Sequence, residues 1–335
     1  MQALLTPQSH QRLNRELLVW NVLRHPNIVE LYGTCSDMGH YSAMVSPWYP
    51  KGSAPQFLKH LGDDATLYVR LRLLTEIAAG LEYRTLFTHQ IYDLFTGYLA
   101  IVHRFTPTVV HGDIKGANIL ISDDHEACLC DFGLSGVVGE VAGSSNFTST
   151  FAGSLRWTAP ELIQHSEESG DPLHVTTWSD IYALGSVTYE VFRVLSPHIL
   201  LIMGINETAT APDRACPIPY SQNRHPGVCI QAHMRHTYEL SDSPLPSQVM
   251  FDVIKNIRPV RPSPAEAAVP ISDSHWNFIE SCWRAQPLER PPISIASPAL
   301  EAMYCEVQPP WRLSLTRRSA DGSGQPRQLT YPSVS

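Results

Sequence analysis

The stretch His111-Gly112-Asp113-Ile114-Lys115-Gly116-Ala117-Asn118, followed by Asp131-Phe132-Gly133, constrains this chain more than any other feature. It asks for a fold that brings two carboxylates, an amide and a lysine into one cleft from two short loops. The residue types suit phosphoryl transfer. A hydroxyl nucleophile must be oriented and must lose a proton, and Asp113 is a carboxylate acceptor for it. The migrating phosphoryl group spreads negative charge over its oxygens, and Lys115 supplies a cation. Asn118 and Asp131 supply the hard oxygens that Mg2+ prefers. Any of these residues alone is an ordinary solvated loop polar; all of them together at these spacings are not.

The hydrophobic pattern around the motif mixes helical and strand periods. Leu13, Leu17 and Trp20 share a face, which predicts an amphipathic helix over 12–23 that stops at Pro26. Short strands are predicted at 27–32 and 41–46, with a loop over 47–52 and helices over 56–61 and 65–83. Small strands at 118–121 and 127–130 flank a turn at 123–125, and the Gly-, Ser- and Thr-rich residues 131–158 read as a mobile loop. Residues 177–192 are apolar almost all round, as a central buried helix would be. Helices over 249–257 and 275–283 follow, and 307–335 reads as a disordered tail.

Composition narrows the class. Asp and Glu outnumber Lys and Arg by 32 to 24, which argues against a chain whose main task is coating nucleic acid but leaves room for a local basic groove. The cysteines at 35, 128, 130, 216, 229, 282 and 305 are odd in number and irregularly spaced, which favours a reducing, cytoplasmic location over a secreted disulfide framework. The N-terminal residues show no apolar signal region, and the longest apolar stretches, 98–102 and 199–205, are far shorter than a membrane span.

With these residues in place, the chain resembles the eukaryotic protein kinases. The His-Gly-Asp wording also occurs in small-molecule phosphotransferases of the aminoglycoside and choline type. Lys115 two residues after Asp113, Ala159-Pro160-Glu161, and Cys282-Trp283 with Pro287, Glu289, Arg290 and Pro291 favour the protein kinases. The wording HGDIKGANIL, VSPWY and GSLRWTAPE is most like the tyrosine-kinase-like group, which is mostly serine/threonine-directed. The resemblance implies Asp113 as base, Lys115 on the phosphoryl group, and Asn118 and Asp131 on Mg2+. It implies Ser46 as a small gatekeeper, the backbones of Pro47 and Tyr49 on adenine, and Leu120 among the nucleotide-binding residues. Glu16 matches the family's helix-C glutamate, and Trp20, Leu31, His111 and Phe132 match its stacked apolar column. Ser154 matches a hydroxyl that bonds the catalytic Asp and Lys, Asp180 matches an aspartate that holds the catalytic loop, and Glu161 is expected to pair with Arg290.

The departures are specific. Kinases place a Gly-rich loop and a strand-three lysine before helix C, whereas residues 1–11 contain neither glycine nor lysine and the first lysine is Lys51. Glu16 then lacks its partner, and nucleotide affinity and, still more, transfer rate are expected to fall. The segment reads as N-terminally truncated, with an exposed sheet edge and an uncovered face at Leu13 and Leu17. Two intervals are overlong, 84–108, which fits no family element, and 193–245, which contains a kinase-like stretch at 217–221; they read either as translated intron or as tolerated surface insertions. Gly112 stands where many kinases carry an arginine, so phosphorylation at Ser144, Ser145, Thr148, Ser149 or Thr150 is expected to couple only weakly to activity.

Weaker motifs complete the reading. His225, Cys229, His233 and His236 have a spacing that suits zinc, set against a chance histidine-rich loop. Cys128 and Cys130 read as small packed apolar groups, and Asn146 and Asn206 as chance glycosylation patterns. Arg312, Arg317, Arg318 and Arg327 give the tail a positive bias, read as solvated or as a dock for an acidic partner.

The expected fold is α+β and two-lobed: a reduced N-lobe over 1–50 and a mainly helical C-lobe over 51–306. The resemblance implies a protein serine/threonine kinase acting in signal transduction with ATP and Mg2+, a protein substrate, and no nucleic-acid or membrane partner. A catalytically inactive kinase-fold scaffold is the alternative.

Overall fold

The computed structural model describes residues 17, 20–21, 23–35, 43–99, 110–131, 154–168, 175–193, 228–232, 246–264 and 267–307. Most of the expected first helix, including Glu16, and Phe132, the loop hydroxyls 144–150, three of the four zinc-spaced residues and the tail lie outside them. Leu17 and Trp20 are helical, and Asn21 N–H bonds Leu17 O at 2.9 Å. Trp20 is fully buried and its indole N–H donates to Val29 O at 2.6 Å, which seats the helix end on the following segment.

The N-terminal sheet differs from expectation in two ways. Residues 27–32 do not form the strand. Val29 N–H bonds Leu129 O and Leu129 N–H bonds Asn27 O, both at 2.9 Å, so their backbone is spent on a later segment. The strand forms just beyond, β1 (Gly33–Cys35), antiparallel to β2 (Ala43–Pro47). The second difference is the edge of β2 expected to be bare. A strand within the second interval, Val228–Ala232, pairs antiparallel with β2 from Ala43↔Ala232 to Pro47↔Val228. The first fifty residues thus do not complete their own sheet, and the edge is capped from far along the chain.

Downstream, β2 leads through 48–53 into α1 (Ala54–Leu61), with Pro55 in its first turn, and then α2 (Leu67–Leu99). The expected helix over 65–83 therefore continues sixteen residues into the first unmatched interval. Its first half is the core stave: Leu71, Leu73, Leu74, Ile77 and Ala78 are all fully buried. Each such Leu or Ile contributes about 1.5–3 kcal/mol relative to exposure.

A small hairpin, β3 (Ile119–Ile121) and β4 (Ala127–Leu129), carries the motif residues on its flanks. Its turn closes by Ser122 N–H to Glu126 O, with His125 at positive φ (63°). After α3 (Pro160–Glu168), helix α4 (Thr177–Arg193) runs through the centre, buried from Ser179 to Phe192 except at Glu190. Arg70 of α2, fully buried, is tied to it by a bond from Nη1 to Val191 O, and burial lowers its guanidinium to about 10.

The last strand in chain order is β5, the Val228–Ala232 segment, followed by α5 (Pro246–Ile254), α6 (Asp273–Cys282) and α7 (Ile293–Val307). Ser272 caps α6: its hydroxyl accepts from His275 N–H, and His275 Nδ1 accepts from Ser272 N–H. Helix α7, unmarked by the sequence pattern because Pro298 interrupts it, packs along α2 and joins Tyr304 to Tyr68 by a hydroxyl bond of 2.9 Å. No described helix is long and apolar enough to cross a membrane. The result is the expected mixed α+β fold, mostly helical.

Candidate active site

Residues 110–118 cross the top of α4, and Asp180 in that helix's first turn sets their path. Its carboxylate, in a residue only 3% exposed, accepts His111 N–H at 2.7 Å and Gly112 N–H at 2.8 Å. Burying that charge is tolerable because both oxygens are bonded. Gly112 takes φ of 78°, the left-handed region in which a side chain is strained, which gives a backbone reason for glycine there. His111 is fully buried; its Nδ1 accepts from Asp113 N–H and its Nε2 donates to Cys130 O at 3.1 Å.

That loop presents a compact cluster. Asp113 Oδ2 accepts Lys115 Nζ at 2.7 Å and Asn118 Nδ2 at 3.0 Å. Asp113 Oδ1 accepts Ser154 Oγ at 2.8 Å, and Lys115 Nζ also donates to Ser154 Oγ at 3.0 Å. Asn118 Nδ2 reaches Asp113 O at 2.8 Å as well, pinning the loop on itself. Asp113 thus has one oxygen, Oδ1, with a lone pair beyond the Ser154 bond, where a second hydroxyl can donate.

Asp131 is brought to the same place by the β4 ladder. Cys130 N–H bonds Asn118 O at 3.0 Å, so the residue that follows lies beside Asn118. Asp131 itself has φ of 59°, a left-handed conformation that aspartate tolerates better than most residues. Burial first, then the Asp131 carboxylate, push the Cys130 thiol well above its usual range, and Lys115 pulls it down.

The donor set fits a hard divalent cation: with Nδ2 of Asn118 spent on Asp113, its carbonyl oxygen and the Asp131 carboxylate are the oxygens that would hold Mg2+. Among the described residues no group of three His, Cys, Asp or Glu side chains is placed to hold a metal.

The nucleotide-side expectations are placed as follows. Pro47 has no N–H and can offer only its carbonyl; Tyr49 offers an N–H, its carbonyl being taken by Gly52 N–H at 3.1 Å. Burial, then the Cys128 thiol, raise the Tyr49 phenol. Ile121 N–H bonds Gly52 O at 3.0 Å and Ser53 bridges Leu120, which sets Leu120 next to the 49–53 turn. Ser46 is buried. Lys51 is not near the cluster in bonding: its Nζ donates to Asp123 O at 2.6 Å.

Two further parts come from the C-terminal half. Glu161 and Arg290 form a two-pronged pair, Nη1–Oε1 and Nη2–Oε2 both 2.7 Å, with Arg290 also on Trp178 O at 2.9 Å. Glu190 was not singled out by the motifs; it accepts Gly116 N–H and Trp157 Nε1–H. An acid inside an otherwise apolar helix is the signal that points to it, because such a charge needs partners.

A family model described as the protein kinase domain matches residues 4–304. A probable serine/threonine-protein kinase of Dictyostelium discoideum is 28% identical over 196 residues, 58% of this chain and 16% of that protein. A receptor-like protein kinase of Arabidopsis thaliana is 36% identical over 172 residues, 50% of this chain and 17% of that protein. A probable serine/threonine-protein kinase of the same plant is 30% identical over 195 residues, 56% of this chain and 44% of that protein. The chain covers less than half the length of each of these relatives.

Proposed function

Since the chain belongs to the protein kinase family, we propose that it transfers the γ-phosphoryl group of ATP to serine and threonine hydroxyls of a protein substrate. The observation that carries this is the closed cluster of Asp113, Lys115, Asn118 and Ser154. An incoming hydroxyl donates to Asp113 Oδ1, which orients its oxygen and takes its proton as the new P–O bond forms. Lys115, held between Asp113 and Ser154, faces the charge that builds on the transferred group. Asn118 and Asp131 would hold Mg2+, which when bound offsets phosphate charge. Ser154 ties the 154–158 turn to the base through its bond to Asp113 Oδ1.

A second reading, a kinase-fold binding module that holds nucleotide without transfer, is favoured by Lys51. Lys51 is bonded to Asp123 O, so it does not stand in for a phosphate-binding lysine beside the cluster. One experiment separates the two: thermal shift with Mg-ATP, together with phosphate incorporation into a basic protein substrate. Transfer abolished in Asp113→Ala supports the enzyme; a shift with no transfer in the wild type establishes the binding module. The odd number and irregular spacing of the cysteines support a reducing, cytoplasmic setting, where such a chain would act in signalling.

A further inference from the structure

The bond that an incoming acceptor hydroxyl must make with the base is already made inside the chain. Ser154 Oγ–H donates to Asp113 Oδ1 at 2.8 Å, within the roughly 2.6–3.2 Å over which a carboxylate can take a proton. The same Ser154 Oγ accepts Lys115 Nζ at 3.0 Å. A hydroxyl oxygen has two lone pairs, so one is left over for a phosphorus atom. Lys115 and Asn118 both bond Asp113 Oδ2, which keeps Oδ1 turned to Ser154. Among the described residues no other hydroxyl bonds Asp113. Ser154 is only 6% exposed, yet it and Asp113 open on one pocket, with Gly112, Trp157 and Leu162 among its walls. A nucleophile, its base and a cation therefore meet at one oxygen of the chain itself.

We propose that Ser154 is a self-phosphorylation site: it takes the γ-phosphoryl group of ATP within its own chain, and the product switches off Asp113. This rests on the kinase reading above. The Oγ–P bond forms as the bond from the γ-phosphorus to the bridging oxygen breaks. ADP leaves with that electron pair, and the Oγ proton passes to Asp113 Oδ1. The product carries a charge of about −1.5 to −2 near neutral pH. That charge lies where the Ser154 hydroxyl met Asp113 at 2.8 Å. Lys115 is drawn to the new dianion, and the Asp113 carboxylate is repelled by it. The hydroxyl bond that oriented the base is lost as well. This switch works by repulsion, so it needs no arginine at the position of Gly112.

The test incubates the full wild-type chain with Mg-ATP, alone and mixed with an equal amount of a nitrogen-15-labelled Asp113→Asn chain, and maps phosphate by peptide mass spectrometry. The expected result is phosphate at Ser154 of the wild type, formed at a rate independent of chain concentration, and none at Ser154 of the labelled chain. As Ser154 fills, kcat for a basic protein substrate should fall by roughly a hundredfold or more, the share a general base supplies, and phosphatase treatment should restore it. The concentration dependence is measured on the wild type alone, so the test survives a misfolded Asp113→Asn. Phosphate on other hydroxyls or on the basic protein with Ser154 unmodified overturns the proposal and leaves the kinase reading standing. Phosphate at Ser154 of both chains alike, or a filled Ser154 with undiminished kcat, overturns it in the same way. No transfer to any acceptor ends the kinase reading and the proposal with it.

Discussion

Removing the Glu161 carboxylate should be among the most damaging single changes away from the reacting atoms. Arg290 has 0% side-chain exposure, and Glu161, at 21%, meets it with two parallel bonds of 2.7 Å. Glu161→Ala would leave a guanidinium charge in the core with carbonyl partners at Trp178, Arg284 and Ala285 but no counter-charge. Stranding one member of a buried pair costs about 3–5 kcal/mol. The remaining carbonyls and the partial exposure of Glu161 place this site at the lower end, about 3 kcal/mol. For a domain of this size that is roughly a 6–12 °C fall in Tm. Urea denaturation at two ionic strengths measures it, and the loss should be nearly salt-independent because the pair is shielded from counter-ions. Glu161→Gln, which keeps one acceptor, should fall between. Glu161→Ala combined with Arg290→Met should recover part of the loss, because both charges then leave the core. A cost below about 1 kcal/mol, the range of exposed pairs, would refute the argument that this pair is a buried structural tie.

Two other outcomes are expected. Burial raises the Glu76 carboxyl to about 7, against its bond from Ala127 N–H and the nearby Arg72. The folded chain then binds a proton that the unfolded chain has released, so stability falls as pH rises from about 4.5 through about 7 and stays reduced above it. Glu76→Gln should flatten that fall by an amount on the order of 1–3 kcal/mol in urea titrations, and an identical pH slope in both proteins would refute the assignment. Replacing residues 228–232 by a Gly-Ser run should uncover the edge of β2 and increase concentration-dependent self-association by sedimentation relative to the wild type; a variant that associates no more than the wild type would show that β5 is not the protecting strand.

Much of the site was legible before any fold was known, because its residues are dictated by chemistry at short range. Asp113, Lys115 and Asn118 are neighbours in sequence, and the spacing that marks them also lets them meet on one loop. The Glu161–Arg290 pair, 129 residues apart, was legible only through its resemblance to a family, since nothing local in either segment names the other. Helix α2 was visible in its buried half by its 3.6-residue period, but not its length, because the pattern weakens where the interval begins.

Residue identity by itself determined the chemistry available here: which groups can accept a proton, hold a cation or face a phosphoryl charge. Only the tertiary structure decided the partners of the backbone and of buried charge. Residues 27–29 gave up strand pairing to bond Leu129, β2 took its second neighbour from 228–232, and Glu190 found Gly116 and Trp157. The reason is physical. A carboxylate or a sheet edge needs a partner wherever the chain can supply one, and that supplier is chosen by packing in space rather than by spacing along the sequence.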